Sequence, residues 1–278
     1  VRPETDIQTH ETCPTCNGSG EVQASILFAE EIENNLAYLL NDRGMRGITL
    51  LVHPYLEAFF KNPADLFFKP ISVTPPAGEP LTPVIAGELK QPYVVIHPGP
   101  LTAYKRWPLA YWQELITWLV NQGFQIVLSA SPAKQDVQLN HDIMSLLSEE
   151  IKGKVINAAG KLSIPQAGTL IRSAALYIGV DTSITHLAAA CNTPTITLFG
   201  ATPPTNFGPW PNGFIGEQPY QLRARTQTVG NVTILQGPGE CVPCRKAGCL
   251  DKADSYSECL DLLEPKQVIE AIQKVLSN

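Results

Sequence analysis

The chain has 278 residues, 44% of them hydrophobic, enough apolar side chain for a packed core and too much for global disorder. Lys and Arg number 20 against 26 Asp and Glu, and a net charge of -6 argues against a surface built to coat nucleic acid. No run reaches the roughly 18 apolar residues that span a bilayer, and the start at Val1 carries no signal-peptide pattern and reads as part of a longer chain.

Residues 1–24 are polar and rich in turns, centred on Cys13-Pro-Thr-Cys16 and the glycines Gly18 and Gly20. A CxxC followed by glycines is a knuckle in which two thiolates converge, and a tetrahedral zinc site then needs two further ligands. His10 could supply one and a second copy of the chain could supply two; a solvent-exposed CxxC is the plainer reading. Ile26, Ile32, Leu36, Leu39 and Leu40 recur at helical spacing and predict a helix from Ser25 to about Asn41. A strand over Ile48 to Val52 and a short helix from Pro54 to Lys61 follow, with His53 at the corner between them, where a structural role is the simpler one.

The ETCPTCNGSG element, the acidic helix FAEEIENNLAYLL and the run ITLLVHPYLEAFF resemble the C-terminal part of the ribonuclease E/G catalytic region. The resemblance covers residues 1–61. It implies a zinc shared between two subunits through Cys13 and Cys16, and hence a homodimer. The RNA-binding fold and the magnesium-holding acids of that family lie upstream of this element, so the segment is expected to be a dimer link rather than a nuclease.

Between residues 62 and 89, Pro63, Pro70, Pro75, Pro76, Pro80 and Pro83 predict a stiff, extended connection and a domain boundary. From residue 90 onward strands and helices alternate. The predicted strands are Tyr93 to His97, Phe124 to Ala130, Lys154 to Asn157, Leu176 to Val180 and Thr195 to Phe199. Helices are expected from Trp107-Pro108 to Asn121, over roughly Lys134 to Glu149, from the capping-box pattern Ser163 to Gln166 onward, after Asp181-Thr182-Ser183, and from Pro265. This rhythm predicts an α/β domain, a Rossmann-like doubly wound parallel sheet over residues 90–278, behind a small α+β zinc-knuckle segment. Residues 201–278 read as less regular apart from the final helix.

In an open α/β sheet, ligands bind beyond the carboxyl ends of the strands. Three of those ends carry polar or pliable residues: Gly99, Lys105 and Arg106 after the first, Asp181, Thr182, Ser183 and His186 after the fourth, and Gly200 after the fifth. Together they offer backbone N–H groups, hydroxyls and cations, the set a diphosphate needs. The plainer alternatives are a solvated surface pair for Lys105 and Arg106 and a helix N-cap for Asp181. Cys241, Cys244, Cys249 and Cys259 have enough thiols for a closed zinc site, with two disulfides or four free thiols as the alternatives. Cys191 reads as a small buried residue.

The motifs HPGPLTAYKRWP, INAAGKLSIPQAGTLIRSAALYIGVDTSITHLAAA and PTITLFGATPP, with the ending CVPCRKAGC and CLDLLEPKQV, resemble the C-terminal domain of glycosyltransferase family 9, the bacterial heptosyltransferases. The resemblance spans residues 70–278 and implies one half of a GT-B fold. That half binds ADP-heptose or a related nucleotide sugar for transfer, without a cofactor, to the lipid A/core oligosaccharide of lipopolysaccharide. It further implies a cytoplasmic protein at the inner face of the inner membrane, with Lys105 on the donor phosphates, Asp181 orienting the sugar or the helix entrance, Thr182 and Ser183 on the diphosphate, and His186 on the same face. The catalytic base is expected in an N-terminal half that residues 1–61 do not resemble. The chain departs from the family pattern at Ser183, where glycine is usual, and at Ala130 and Ser131, where glycines are common. Two other readings follow from the same residues: a zinc-linked dimerisation or RNA-processing module, and a sugar-nucleotide binder without transfer activity.

Overall fold

The computed structural model describes residues 78–277 apart from Leu101, Glu217 and Ala253. The expectations for residues 1–61, including the Cys13–Cys16 knuckle, lie outside the described residues. Seven strands form one sheet: β1 (Tyr93–His97), β2 (Gln125–Leu128), β3 (Val155–Asn157), β4 (Leu176–Val180), β5 (Thr195–Phe199), β6 (Thr226–Val229) and β7 (Val232–Gln236), in the order β3-β2-β1-β4-β5-β7-β6. All neighbours are parallel except β6 and β7. The helices are α1 (Pro83–Glu88), α2 (Leu109–Asn121), α3 (Lys134–Leu146), α4 (Glu149–Lys152), α5 (Ile164–Arg172), α6 (Ser183–Ala190), α7 (Pro204–Phe207), α8 (Glu258–Asp261) and α9 (Pro265–Leu276).

The central strands are buried on both faces, as continuous runs such as YVVIH require in a sheet covered by helices. Alternate residues feed two cores. Val94, Ile96, Ile178 and Leu198 pack with Trp112, Leu115 and Ile116 of α2 and with Val268 and Ile272 of α9. Tyr93, Val95 and Tyr177 pack on the other side with Leu170 and Ile171 of α5 and with Ala188 of α6. Local chemistry sets the helix ends. Ser163 and Gln166 form the expected capping box at α5, with N···O distances of 3.0 and 3.2 Å, and Gly123 closes α2 at φ 91°.

Two departures from expectation have physical causes. Residues Pro83–Glu88, inside the span expected to be extended, are helical, because proline is tolerated at the first helical position and Ile85 is buried against the second core. The final segment is also more regular than its composition suggests. Gly230, at φ 54°, opens a two-residue turn between β6 and β7, and β7 extends the parallel sheet beside β5.

Candidate functional site

The site is assembled where β1, β4 and β5 end. Their last residues are level, with His97 opposite Gly179 and Val180 opposite Leu198, so the three following loops leave the sheet together. The loop after β1 closes in a 3-10 turn over Ala103–Lys105, and its far end is pinned by Trp107, whose indole Nε1 donates to the Leu263 carbonyl at 2.7 Å. That pin carries Lys105 towards β4, where its Nζ lies 2.7 Å from Asp181 Oδ2. The contact is an ion pair without hydrogen-bond angles, and no other described group bonds to this buried oxygen.

Asp181 is followed by Thr182, the N-cap of α6, whose hydroxyl caps no N–H and pairs with Thr185 Oγ1 at 3.3 Å instead. The first N–H groups of α6 therefore face outward at the positive end of the helix, and Ser183 is exposed there. His186 stands one turn along and is also exposed. Crowding by protein atoms lowers its imidazole pKa, Asp181 opposes this and Lys105 adds to it. Water still reaches the ring, which weakens all three effects.

Buried polar atoms without partners collect around this turn. Arg106 Nε, Asp181 Oδ2 and Thr202 Oγ1 come from the loops after β1, β4 and β5 respectively, and none has a hydrogen-bond partner among the described residues. Such atoms are rare in folded proteins and are explained when a ligand completes them. Lys105 also lies 5.9 Å from the ring centroids of Tyr104 and Phe207, so its charge is bounded by aromatic faces rather than by bulk water alone.

Gly99 and Gly200 have packing reasons to be glycine. A side chain at Gly99 would meet Asp136 Cγ at 3.2 Å, and one at Gly200 would meet Cys259 Sγ and Leu260 Cγ at 3.0 Å. Sequence reasoning missed Asp136. It is buried behind Gly99, accepts from Ser131 Oγ at 2.5 Å through Oδ2, and leaves Oδ1 unpaired. Beside it His97 is buried against Ser129 at 2.9 Å, and burial pushes its pKa down to about 4. Only the polar character of LSASPAKQD, in place of a plain strand end, hinted at this cluster.

The four-thiolate zinc centre is not formed among the described residues, where no group of His, Cys, Asp or Glu side chains is arranged to hold a metal. Cys241 and Cys249 are exposed, Cys244 is half-buried and Cys259 turns inward towards Gly200. All four are free, as is the buried Cys191. Burial pushes the Cys259 thiol up to about 12, and its neighbours Cys244, Cys249 and Cys241 push in the same direction. Among the described residues no helix is long and apolar enough to cross a membrane.

The family described as glycosyltransferase family 9 (heptosyltransferase) matches residues 57–220, a span that contains all three loops. The chain belongs to this family. It is 39% identical over 125 residues to lipopolysaccharide heptosyltransferase 3 of Escherichia coli, covering 45% of this chain and 36% of that protein. Lipopolysaccharide heptosyltransferase 2 of Salmonella typhimurium is 29% identical over 174 residues, covering 63% of this chain and 43% of that protein. The chain thus spans less than half the length of these relatives. The structure of E. coli ADP-heptose lipopolysaccharide heptosyltransferase II superposes with a TM-score of 0.53 at 23% identity, over 69% of this chain and 49% of that one, and shares the fold. The family match begins upstream of the expected residue 70 and stops before the cysteine-rich segment.

Proposed function

We propose that residues 78–277 form the donor-binding part of a heptosyltransferase-type glycosyltransferase that takes ADP-heptose or a close ADP-sugar and serves lipopolysaccharide core synthesis. The observation that carries the reading is the Lys105–Asp181 ion pair at the open turn of α6, with Arg106 Nε and Thr202 Oγ1 on the two neighbouring loops buried without a hydrogen-bond partner among the described residues. Lys105 and Arg106 supply the cations and the α6 N–H groups the dipole that a diphosphate needs. Asp181, paired with Lys105, orients the sugar or the helix entrance.

In transfer, an acceptor hydroxyl bonds to the anomeric carbon as the bond from that carbon to the diphosphate oxygen breaks, and the departing ADP gains charge. Lys105 and the α6 turn stabilise that charge where it develops. The acceptor, a lipid A/core oligosaccharide at the cytoplasmic face of the membrane, and the base that takes its proton belong to chain outside residues 78–277.

Calorimetric titration with ADP tests the donor reading. Saturable binding that Lys105→Ala weakens supports it, and absence of ADP binding by the folded protein overturns it. The CPTCNGSG motif supports a zinc-linked dimer through Cys13 and Cys16. Metal analysis decides that point: about half an equivalent of zinc per chain, lost with Cys13→Ser, is the expected result for a shared site.

A further inference from the structure

The stretch after β7 carries a CxxC, Cys241-Val-Pro-Cys244, that the donor site does not use. Two residues set its shape. Gly239 stands at φ 136°, a backbone conformation that favours glycine. Val242 is 2% exposed, and its N–H donates to the Gly239 carbonyl at 3.3 Å. The buried valine anchors the turn and leaves Cys241 outside it, with a free and exposed thiol. Cys244, three positions on, is free and half-buried.

Gly239, Glu240 and Val242 also line a cleft of about 610 Å³ that they share with Arg223 and Arg225. Small-molecule sites usually enclose ~300–1,000 Å³. Cys241 lies between two of the lining residues, and its Sγ is 3.9 Å from where a Cβ on Gly239 would stand, so the thiol sits at the rim of the cleft. The arginine segment is held by Gln236, itself 2% exposed. Its side chain accepts from Ala224 N at 2.9 Å and donates to the Leu222 carbonyl at 3.2 Å, and its backbone N–H donates to the Arg225 carbonyl at 3.0 Å. Arg223 Nη2 donates to the Glu240 carbonyl, the group joined directly to the Cys241 nitrogen, which fixes one guanidinium beside the thiol-bearing residue. The Arg225 guanidinium has neither an ion pair nor a hydrogen bond among the described residues. Two guanidiniums against the Glu240 carboxylate leave an excess positive charge in the cleft, and guanidinium pairs with carboxylate in bidentate fashion. Cys249 is exposed in the same segment but lies outside this lining, its sulfur accepting from Glu258 N at 3.4 Å.

We propose that Cys241 is a thiol–disulfide exchange site for a small disulfide bearing carboxylates, held in the cleft by Arg223 and Arg225, with Cys244 completing the exchange. The Cys241 thiolate attacks one sulfur of R–S–S–R. A Cys241–S–S–R bond forms, the S–S bond of the partner breaks, and R–S⁻ leaves and takes a proton. The Cys244 thiolate then attacks the Cys241 sulfur, which closes the Cys241–Cys244 disulfide and releases the second R–S⁻, protonated in turn. The two cysteines lose two electrons and two protons, and the partner gains them as two R–SH. This site stands independently of the donor reading.

The reduced full chain is treated separately with glutathione disulfide, which carries carboxylates, and with cystamine, a cationic disulfide. Peptide mass spectrometry follows each cysteine. In Cys244→Ser, Cys241 is expected to accumulate the glutathione mixed disulfide. Its rate ratio, glutathione disulfide over cystamine, should exceed that at Cys249 by about tenfold or more. Adding Arg223→Gln and Arg225→Gln should bring the ratio at Cys241 down to that of Cys249, with the thermal midpoint unchanged. With Cys244 present, the product should be the Cys241–Cys244 disulfide. Equal ratios at Cys241 and Cys249 overturn the proposal before any arginine is replaced. A preference that survives the double arginine substitution in folded protein overturns it as well. A mixed disulfide that persists at Cys241 with Cys244 in place overturns the role of Cys244.

Discussion

Lys105 Nζ stands 2.7 Å from Asp181 Oδ2 and joins the loop after β1 to the turn after β4. The carboxylate side is 7% exposed and the ammonium side 22% exposed, so the pair is only partly screened by water. If the two act as one unit on the donor, their substitutions are not additive. Lys105→Ala and Asp181→Asn are each expected to weaken ADP binding about tenfold or more, and the double variant to fall short of the summed loss by about 0.5–3 kcal/mol. A calorimetric double-mutant cycle measures this, and strict additivity would separate the two residues.

Ser183 is the first residue of α6 and its side chain is exposed, where the family pattern has glycine. The diphosphate reading depends on the backbone N–H at this position, which both residues supply. Ser183→Gly is therefore expected to change the ADP dissociation constant by less than about threefold, since an exposed hydroxyl contributes little net energy. A gain of tenfold or more in the same titration would show that the hydroxymethyl group crowds the phosphate.

How much of this was legible in the residues depends on where each signal resides. β1, β4 and β5 are short apolar runs that stop at Pro98, Asp181 and Gly200, so period and punctuation placed the three loops correctly along the chain. The meeting of Lys105 with Asp181 was legible only as convergence at one end of a parallel sheet. Its distance depends on the Trp107–Leu263 bond, whose partners are 156 positions apart. β6 and β7 were missed because TQTV and VTILQ are short and lie among proline, glycine and cysteine, and the Gly230-Asn231 turn is a two-residue signal. Asp136 was missed because it sits in a polar helical stretch whose buried side becomes evident only once Gly99 closes over it. The four cysteines have enough thiols for zinc by count and spacing, but among the described residues no side-chain group is arranged to hold a metal.

His97 makes stability depend on pH. In the folded protein its pKa is down to about 4 because burial disfavours the imidazolium, against 6.5 in the unfolded chain. Between those values the unfolded chain binds more protons than the native one, so stability falls as pH drops through 6.5 and levels off below about 4. The loss over that window is on the order of 3 kcal/mol. Urea unfolding at pH 7.5 and 4.5 measures it, and His97→Asn should flatten this part of the profile. An equal drop in the variant would assign the effect to other groups.

Beneath the donor turn, Tyr177 reaches past Gly179, and its hydroxyl pairs with Thr185 Oγ1 at 3.0 Å; Thr185 also donates to the Val180 carbonyl at 2.6 Å. A Cβ at Gly179 would fall 2.5 Å from the Tyr177 hydroxyl, so the glycine is the opening through which the phenol supports the turn. Gly179→Ala should overpack this space and cost about 1–3 kcal/mol in stability. Tyr177→Phe keeps the ring and removes the bond, leaving Thr185 its carbonyl partner, and should cost about 1 kcal/mol. If the strut also sets the pose of Thr182 and Ser183, Tyr177→Phe weakens ADP binding several-fold at a temperature where the variant is fully folded. Thermal unfolding and calorimetry on the same sample separate the two effects. A lower midpoint with unchanged ADP affinity would leave Tyr177 a core residue and no more.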